Sequence, residues 1–245
     1  MLTNCVTQCS ACCCKPKNPT DVAILPGIET IYLDSALIVV NKPSGLLSVP
    51  GRGADKQDCL SSRVQQHYPD ACVVHRLDMA TSGLFLMARG TSVQRQVNTL
   101  FASRQILKRY EAVVDGIWQP DPAPDSGGWT PIDLPLKLDW PNRPRSQVDR
   151  VSGKPSLTRC RVLCVDAAAQ TTHALLEPVT GRSHQLRVHL MAIGHPILGD
   201  TLYAPGRVAD RSARLLLHAS ELQLQHPVTG AMLRWVSPPA FEPGL

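Results

Sequence analysis

One carboxylate in this chain is set apart by its neighbours. Asp78 lies two residues after Arg76 and just before a small polar turn, in the run Val74-His75-Arg76-Leu77-Asp78-Met79-Ala80-Thr81-Ser82-Gly83. An aspartate in a Thr/Ser/Gly setting is commonly a plain turn former, because its side chain bonds its own backbone. Here the segment that follows, Leu84-Phe85-Leu86-Met87-Ala88, is an apolar run of strand length. The acid therefore sits on a loop anchored by a buried strand, which is where catalytic groups concentrate. Asp78 reads as the working residue.

Two further segments can face such an acid. In Thr180-Gly181-Arg182-Ser183-His184-Gln185-Leu186-Arg187-Val188-His189 the sequence predicts a helix near 183–193, ended by Gly194. Helical spacing makes His184 and Arg187 neighbours, with Val188 and Met191 beside them on a less polar face. Packed there, Arg187 can meet a carboxylate, whereas on an arbitrary helix it is a solvated charge. The run Lys108-Arg109-Tyr110-Glu111-Ala112-Val113-Val114-Asp115-Gly116 predicts a strand closed by a turn. Tyr110, Ala112 and Val114 share one of its faces, so the tyrosine either reaches a cleft or fills a pocket on the strand.

Other chemistries fit poorly. His184 and His189 are five apart, which is not one helical face, and neither a His-Glu-x-x-His nor a Cys-x-x-Cys partner accompanies them. No metal is expected at this site. His75-Arg76-Leu77-Asp78 is not a kinase catalytic loop, since the acid comes one place late and both a glycine-rich loop and an Asp-Phe-Gly are missing. A glycosidase wants two carboxylates across the bond, and none stands near Asp78 in sequence, although a partner can arrive from elsewhere in the fold.

The elements that must position these residues are mostly strands. A hairpin is expected from Ile31-Tyr32-Leu33 through Asp34-Ser35 to Leu37-Ile38-Val39-Val40. Val93, Val97, Leu100 and Phe101 give the stripe of an amphipathic helix over 91–103. Strands are expected at 158–165 and 172–177, and a hairpin at 222–225 and 232–236 around Pro227-Val228-Thr229-Gly230. Residues 119–131 and 139–146 read as exposed loops, the second combining Trp140 with Arg143 and Arg145. Hairpins outnumber crossovers, so the fold class is α+β with a mixed, mostly antiparallel sheet flanked by helices and loops.

Composition bounds the rest. The 245 residues, 43% of them hydrophobic, suffice for a sizeable core, and a net charge of +5 favours a polyanionic partner. No apolar run nears the roughly 20 residues a membrane span needs, and no secretory signal is evident. A soluble, cytoplasmic protein with no membrane association is expected. Five of nine cysteines, Cys5, Cys9, Cys12, Cys13 and Cys14, crowd into the first fourteen residues. Four thiolates can hold zinc, but three adjacent cysteines with no second pair across a loop favour a disordered, oxidation-prone tail over 1–20, with the folded domain over 21–245.

Five pieces of the sequence, in order, resemble a known family. They are 41–50 (NKPSGLLSVP), 74–88 (VHRLDMATSGLFLMA), 108–116, 180–200 and Leu215-Leu216-Leu217-His218-Ala219. Together they are similar to the RluA-type pseudouridine synthases, a likeness running from about Ile31 to the C-terminus. Larger members carry an N-terminal S4-type RNA-binding domain, and the roughly 30 residues before the first strand are too few for one.

The resemblance implies the pseudouridine synthase fold and an enzyme that isomerises uridine in structured RNA without cofactor, metal or energy input. It gives Asp78 the role of nucleophile, acting on ribose or base. Arg187 would pair with it through a bidentate fork, holding it as a carboxylate and aiming its oxygen. Tyr110 would stack on the uracil and serve in proton removal from C5. A uridine in a stem-loop must leave the stack first, and Arg76 would fill the vacated space. Lys42, Arg52, Arg143, Arg145 and Lys154, with His75 and Arg182, would contact the RNA. The segments SVPGR, HRLDMATSG and LDWPNRP are most similar to members acting on both tRNA and 23S rRNA stem-loops, at tRNA position 32 and 23S position 746. A tRNA-only relative of the TruC type, or a non-catalytic RNA-binding assembly factor, are the rival readings. No obligate protein partner is evident and a monomer is expected.

Overall fold

Asp34 starts the fold as its position suggests. Its Oδ1 accepts the amides of Ala36 at 2.7 Å and Leu37 at 2.6 Å, closing the turn between β1 (Glu29–Leu33) and β2 (Leu37–Lys42). The computed structural model describes residues 25, 27–119 and 124–241. After the hairpin come α1 (Leu60–Gln65), β3 (Ala71–Val73), β4 (Ser82–Arg89), α2 (Gly90–Ala102) and β5 (Leu107–Asp115). Next are β6 (Thr130–Asp133), the short pair β7 (Leu136–Leu138) and β8 (Ser146–Val148), then β9 (Leu157–Asp166) and β10 (Thr171–Pro178). The chain finishes with α3 (Gln185–Ala192), α4 (Gly206–Ala209), β11 (Leu217–Gln225) and β12 (Met232–Val236).

One large sheet carries the site. Its order is β1-β2-β4-β11-β5-β10-β9-β6, with β3 added to β4 and β12 to β11. Every pairing among these strands is antiparallel except β4 with β11, a short parallel seam of Ser82 with His218 and Gly83 with Ala219. This is the mixed, mostly antiparallel α+β architecture that the hairpin pattern predicts.

The apolar runs are explained by burial on both sheet faces. Ile38, Val40, Phe85 and Met87 pack on one side of β2 and β4, while Leu37, Val39, Leu84 and Leu86 pack on the other. The stripe of α2, Val93, Val97, Leu100 and Phe101, joins the second of these clusters.

Register then sets a row across the sheet centre. Ala219 of β11 pairs with Gly83 on one side and with Tyr110 of β5 on the other. Gly83 has φ +110, and a Cβ there would run into the Ala219 backbone, so no other residue fits this crossing without displacing β11. With neighbouring strands about 4.8 Å apart, the loop ending at Gly83 is held two strands from Tyr110.

Three local expectations shift. The exposed loop expected over 119–131 ends earlier, since Trp129 and Thr130 are buried and β6 begins at Thr130. Helix α3 begins at Gln185 because His184 takes a left-handed conformation, φ 54, and the Gln185 side chain ties down the loop before it. Gln185 Oε1 accepts from Thr180 Oγ1 at 2.7 Å and the Arg182 amide at 3.0 Å, and its Nε2 donates to the Leu157 carbonyl at 3.0 Å. The 139–146 loop is the tip of the β7–β8 hairpin, whose strands are too short to show an alternating pattern. The cysteine-rich segment 1–20 lies outside the described residues.

Candidate active site

Asp78 sits in the loop between β3 and β4, and the segment after β2 grips that loop on both sides of it. Ser48 Oγ donates to the Leu77 carbonyl at 2.7 Å and accepts the Leu77 amide at 3.1 Å. The Gly45 amide donates to the Met79 carbonyl at 2.9 Å, and Ser44 Oγ donates to the Ala80 carbonyl at 2.7 Å. Leu77 is buried in the core, while the neighbouring Met79 is exposed. The backbone is thereby fixed while the acid stays accessible, with 28% of the Asp78 side chain open to solvent.

Lys42 belongs to this grip and corrects an expectation. It is 0% exposed, and its Nζ donates to the carbonyls of Pro43 at 2.9 Å, Leu46 at 2.6 Å and Met79 at 3.0 Å. A lysine so enclosed does not reach an RNA phosphate; it ties the two loops together. Burial lowers its ammonium to about 8, with the Asp78 carboxylate opposing that fall. Lys42→Met is expected to leave these carbonyls unpaired and to destabilise the protein by about 1–3 kcal/mol, with turnover reduced and RNA affinity little changed. Denaturant unfolding and RNA titration check this; an unchanged unfolding midpoint with weakened RNA binding would restore the phosphate-contact role.

The arginine helix delivers a different pairing from the one expected. Arg187, on the first turn of α3, is 4% exposed. Its fork goes to Asp200, Nε to Oδ2 at 2.8 Å and Nη2 to Oδ1 at 2.6 Å. A single longer bond, Nη1 to Oδ2 at 3.4 Å, reaches Asp78. The bidentate partner is thus Asp200, which the sequence reading missed. Burial on its own would lower the Arg187 guanidinium, but the hydrogen-bonded Asp200 and the nearby Asp78 hold it above the ordinary value. Asp200 is 1% exposed and also accepts the amides of Leu202 at 3.0 Å and Tyr203 at 3.1 Å.

His184 and Tyr203 complete the wall. The Ser146 amide donates to Tyr203 Oη at 2.8 Å, and Tyr203 Oη lies 2.7 Å from His184 Nδ1. Tyr203 Oη thus accepts from Ser146 and shares a second hydrogen bond with the imidazole, leaving Nε2 as the ring nitrogen turned to the cleft. That nitrogen lies 3.7 Å from Asp78 Oδ1. Burial lowers the His184 pKa, and the nearby Arg187 and Arg76 add to this against the pull of Asp78 and Asp200.

Tyr110 is packed between two core clusters at the centre of the sheet. Burial, with the Asp78 charge adding to it, raises its phenol far above the usual value, so it is neutral at physiological pH. Arg76 is exposed, and among the described residues no carboxylate pairs with it.

His75 turns away from the cleft, a second correction. Its Nε2 accepts the Leu86 amide at 2.9 Å and its ring lies against Phe85 and Phe101. Burial, helped by Lys108, lowers its pKa to about 3. This neutral ring fastens the loop to β4 instead of contacting RNA. Arg52, Arg143, Arg145, Lys154 and Arg182 are all exposed. Arg182 Nε donates to the Pro155 carbonyl at 3.3 Å, and Arg145 donates to the Leu202 carbonyl beside the Asp200 turn. Among the described residues no group of three His, Cys, Asp or Glu side chains is arranged to hold a metal, and no helix is long and apolar enough to cross a membrane.

Asp78, on its braced loop, thus faces the buried Arg187–Asp200 pair and His184, and comparison with known proteins gives the class of the chain. Residues 36–192 match the family model described as RNA pseudouridylate synthase. The chain belongs to that family, and its activity is the isomerisation of uridine to pseudouridine in RNA. It is 45% identical over 216 residues, 88% of this chain and 95% of the relative, to the dual-specificity RNA pseudouridine synthase RluA of Escherichia coli K12. The protein of the same name from Vibrio vulnificus is 49% identical over 85% of this chain and 80% of its own length. Among solved structures, human RNA pseudouridylate synthase domain containing 1 superposes with a TM-score of 0.71 at 27% identity, covering 91% of this chain and 88% of its own.

Proposed function

We propose that Asp78 is the nucleophile of this isomerisation and that the substrates are uridines in a tRNA anticodon stem-loop and in a 23S rRNA hairpin. The observation that carries the Asp78 assignment is differential exposure within one charged cluster. Arg187 and Asp200 are closed off at 4% and 1%, while Asp78 keeps 28% of its side chain open on a braced loop. A buried ion pair thus serves as a fixed support, and the third group faces the substrate.

In the reaction the glycosidic carbon leaves N1 of uracil and is rejoined to C5, with one proton lost at C5 and one gained at N1. Nothing is oxidised or reduced. Asp78 acts on the ribose or the base while Arg187 Nη1 and His184 Nε2 face its oxygens. Tyr110 lies under the uracil as a neutral stacking surface, its hydroxyl relaying the C5 proton by taking it up as the phenol proton passes to solvent, with N1 protonated from solvent in return.

Arg76 is read as the side chain that enters the stack when the uridine leaves, since it is exposed, next to the Asp78 loop and without a carboxylate partner among the described residues. Arg76→Ala is expected to weaken productive binding to folded stem-loops about tenfold more than to a single-stranded site. Equal losses on both RNAs would count against base replacement.

The substrate reading is supported by relatives named as dual-specificity enzymes and by the likeness of segments 48–52, 75–83 and 138–144. It is tested by incubating the protein with an anticodon stem-loop and, separately, the 23S rRNA hairpin, then mapping pseudouridine by carbodiimide labelling and primer extension. Modification of both is expected; a protein that leaves both unmodified acts on another uridine.

A further inference from the structure

Four tryptophans are present, and three of them, Trp118, Trp129 and Trp235, are buried. Trp140 is 64% exposed, and no part of the reaction just described uses it. A single exposed apolar side chain is unremarkable in itself; the construction around this one is not.

Trp140 stands at the tip of the β7–β8 hairpin, and the tip is pinned. The Asp139 amide donates to the Arg145 carbonyl at 2.9 Å, and the amides of Asn142 and Arg145 donate to the carbonyls of Asp139 and Asn142, each at 3.1 Å. Asn142 Nδ2 donates to Asp139 Oδ2 at 3.0 Å. Arg143 Nε donates to the Trp140 carbonyl at 3.1 Å, and its guanidinium carbon lies 4.1 Å from the centroid of the indole. One face of the indole is therefore covered by a cation that has no carboxylate partner among the described residues. The residue as a whole stays 64% exposed, so the guanidinium leaves most of it open.

The hairpin base is tied to the reacting group. Arg145 donates to the Leu202 carbonyl and lies 5.7 Å from the Tyr203 ring, and the Ser146 amide donates to Tyr203 Oη. Tyr203 in turn bonds His184, which faces Asp78. A flat, rigid aromatic surface with a positive charge behind it is thus fixed to the rim of a site that handles a flipped uridine.

We propose that Trp140 and Arg143 form a base-stacking subsite that takes an unpaired nucleobase of the RNA loop other than the uridine at Asp78. It rests on the stem-loop reading above. Stacking accepts any base, because every base has a π-face, and the guanidinium adds attraction to the neighbouring phosphates. The subsite therefore distinguishes a loop, which offers an unstacked base, from a stem, which does not. It also gives two RNAs of different sequence a common hold.

The test uses the full chain with each stem-loop, and begins with Trp140→Ala and Trp140→Phe. Trp140→Ala is expected to raise KM about ten- to a hundredfold with kcat within a few-fold, and Trp140→Phe to recover most of the loss. One abasic position in the loop, away from the target uridine, should reproduce that loss in the wild type and add nothing to Trp140→Ala. Because the other tryptophans are buried, RNA should quench an exposed-tryptophan emission that is missing from Trp140→Phe. An unchanged KM, the lack of any such abasic position, or a quenching signal that survives in Trp140→Phe would overturn the subsite. If the wild type leaves both stem-loops unmodified, the substrate reading falls, and quenching with the abasic scan in a binding format decides the subsite on its own.

Discussion

Asp78→Asn is expected to abolish pseudouridine formation, by about 10⁴-fold or more, while RNA binding stays within a few-fold. Asparagine keeps the shape of the side chain and an oxygen for the 3.4 Å bond from Arg187, but its amide is a poor nucleophile. The loop does not depend on the carboxylate for its position, since Ser44, Gly45 and Ser48 hold the backbone of Leu77, Met79 and Ala80. Arg187 keeps its fork on Asp200, so no buried charge is left alone and the melting temperature should move little. Carbodiimide mapping gives turnover, and filter binding gives affinity. Activity within tenfold of wild type would remove Asp78 from the nucleophile role.

Asp200→Ala is expected to act through Arg187 and to cost stability as well as turnover. It leaves a 4% exposed guanidinium without its fork and removes the acceptor for the amides of Leu202 and Tyr203. Breaking one side of a buried ion pair costs roughly 3–5 kcal/mol. What still folds has Arg187 free to swing onto Asp78, the one other carboxylate bonded to it among the described residues, so kcat should fall even in the folded fraction. Replacing both partners, Arg187→Met with Asp200→Leu, should restore the part of the stability lost to the lone guanidinium, because packed apolar groups can substitute for a buried pair, but not the part lost with the acceptor of the Leu202 and Tyr203 amides. It should not restore turnover. Asp200→Ala with a wild-type unfolding midpoint would show that the pair is not a support.

The positions of these groups were unequally legible in the sequence. A loop leading into a buried strand can be read at Asp78 because the polar turn and the apolar run are adjacent, and the β1–β2 hairpin can be read because Asp34 sets its turn within three residues. Tyr110 can be placed on the Ala112 and Val114 face because strand alternation is strictly local. Asp200 leaves no such trace: it is thirteen residues from Arg187, in a Leu-Gly-Asp segment that looks like any turn. Lys42 reads as a surface charge because lysine is almost never fully buried unless its ammonium is satisfied, and the carbonyls that satisfy it come partly from a loop 37 positions away. His75 is misjudged for the same reason, its amide partner and its two phenylalanines being brought together only by the sheet.

The parallel seam between β4 and β11 bears on when the enzyme becomes competent during synthesis. The strands that support Asp78 are β3 and β4, and those that support Tyr110 and flank Arg187 are β5, β9 and β10. In the strand order the two groups touch only through β11. Residues 217–225 are synthesised after both groups, so the sheet can join the acid to the tyrosine only once β11 is present. Such long-range closure is a slow, late event in folding. A chain translated only as far as β10 thus carries Asp78 and Tyr110 but not the strand that sets them in one sheet, and completion of the site is expected to wait for β11.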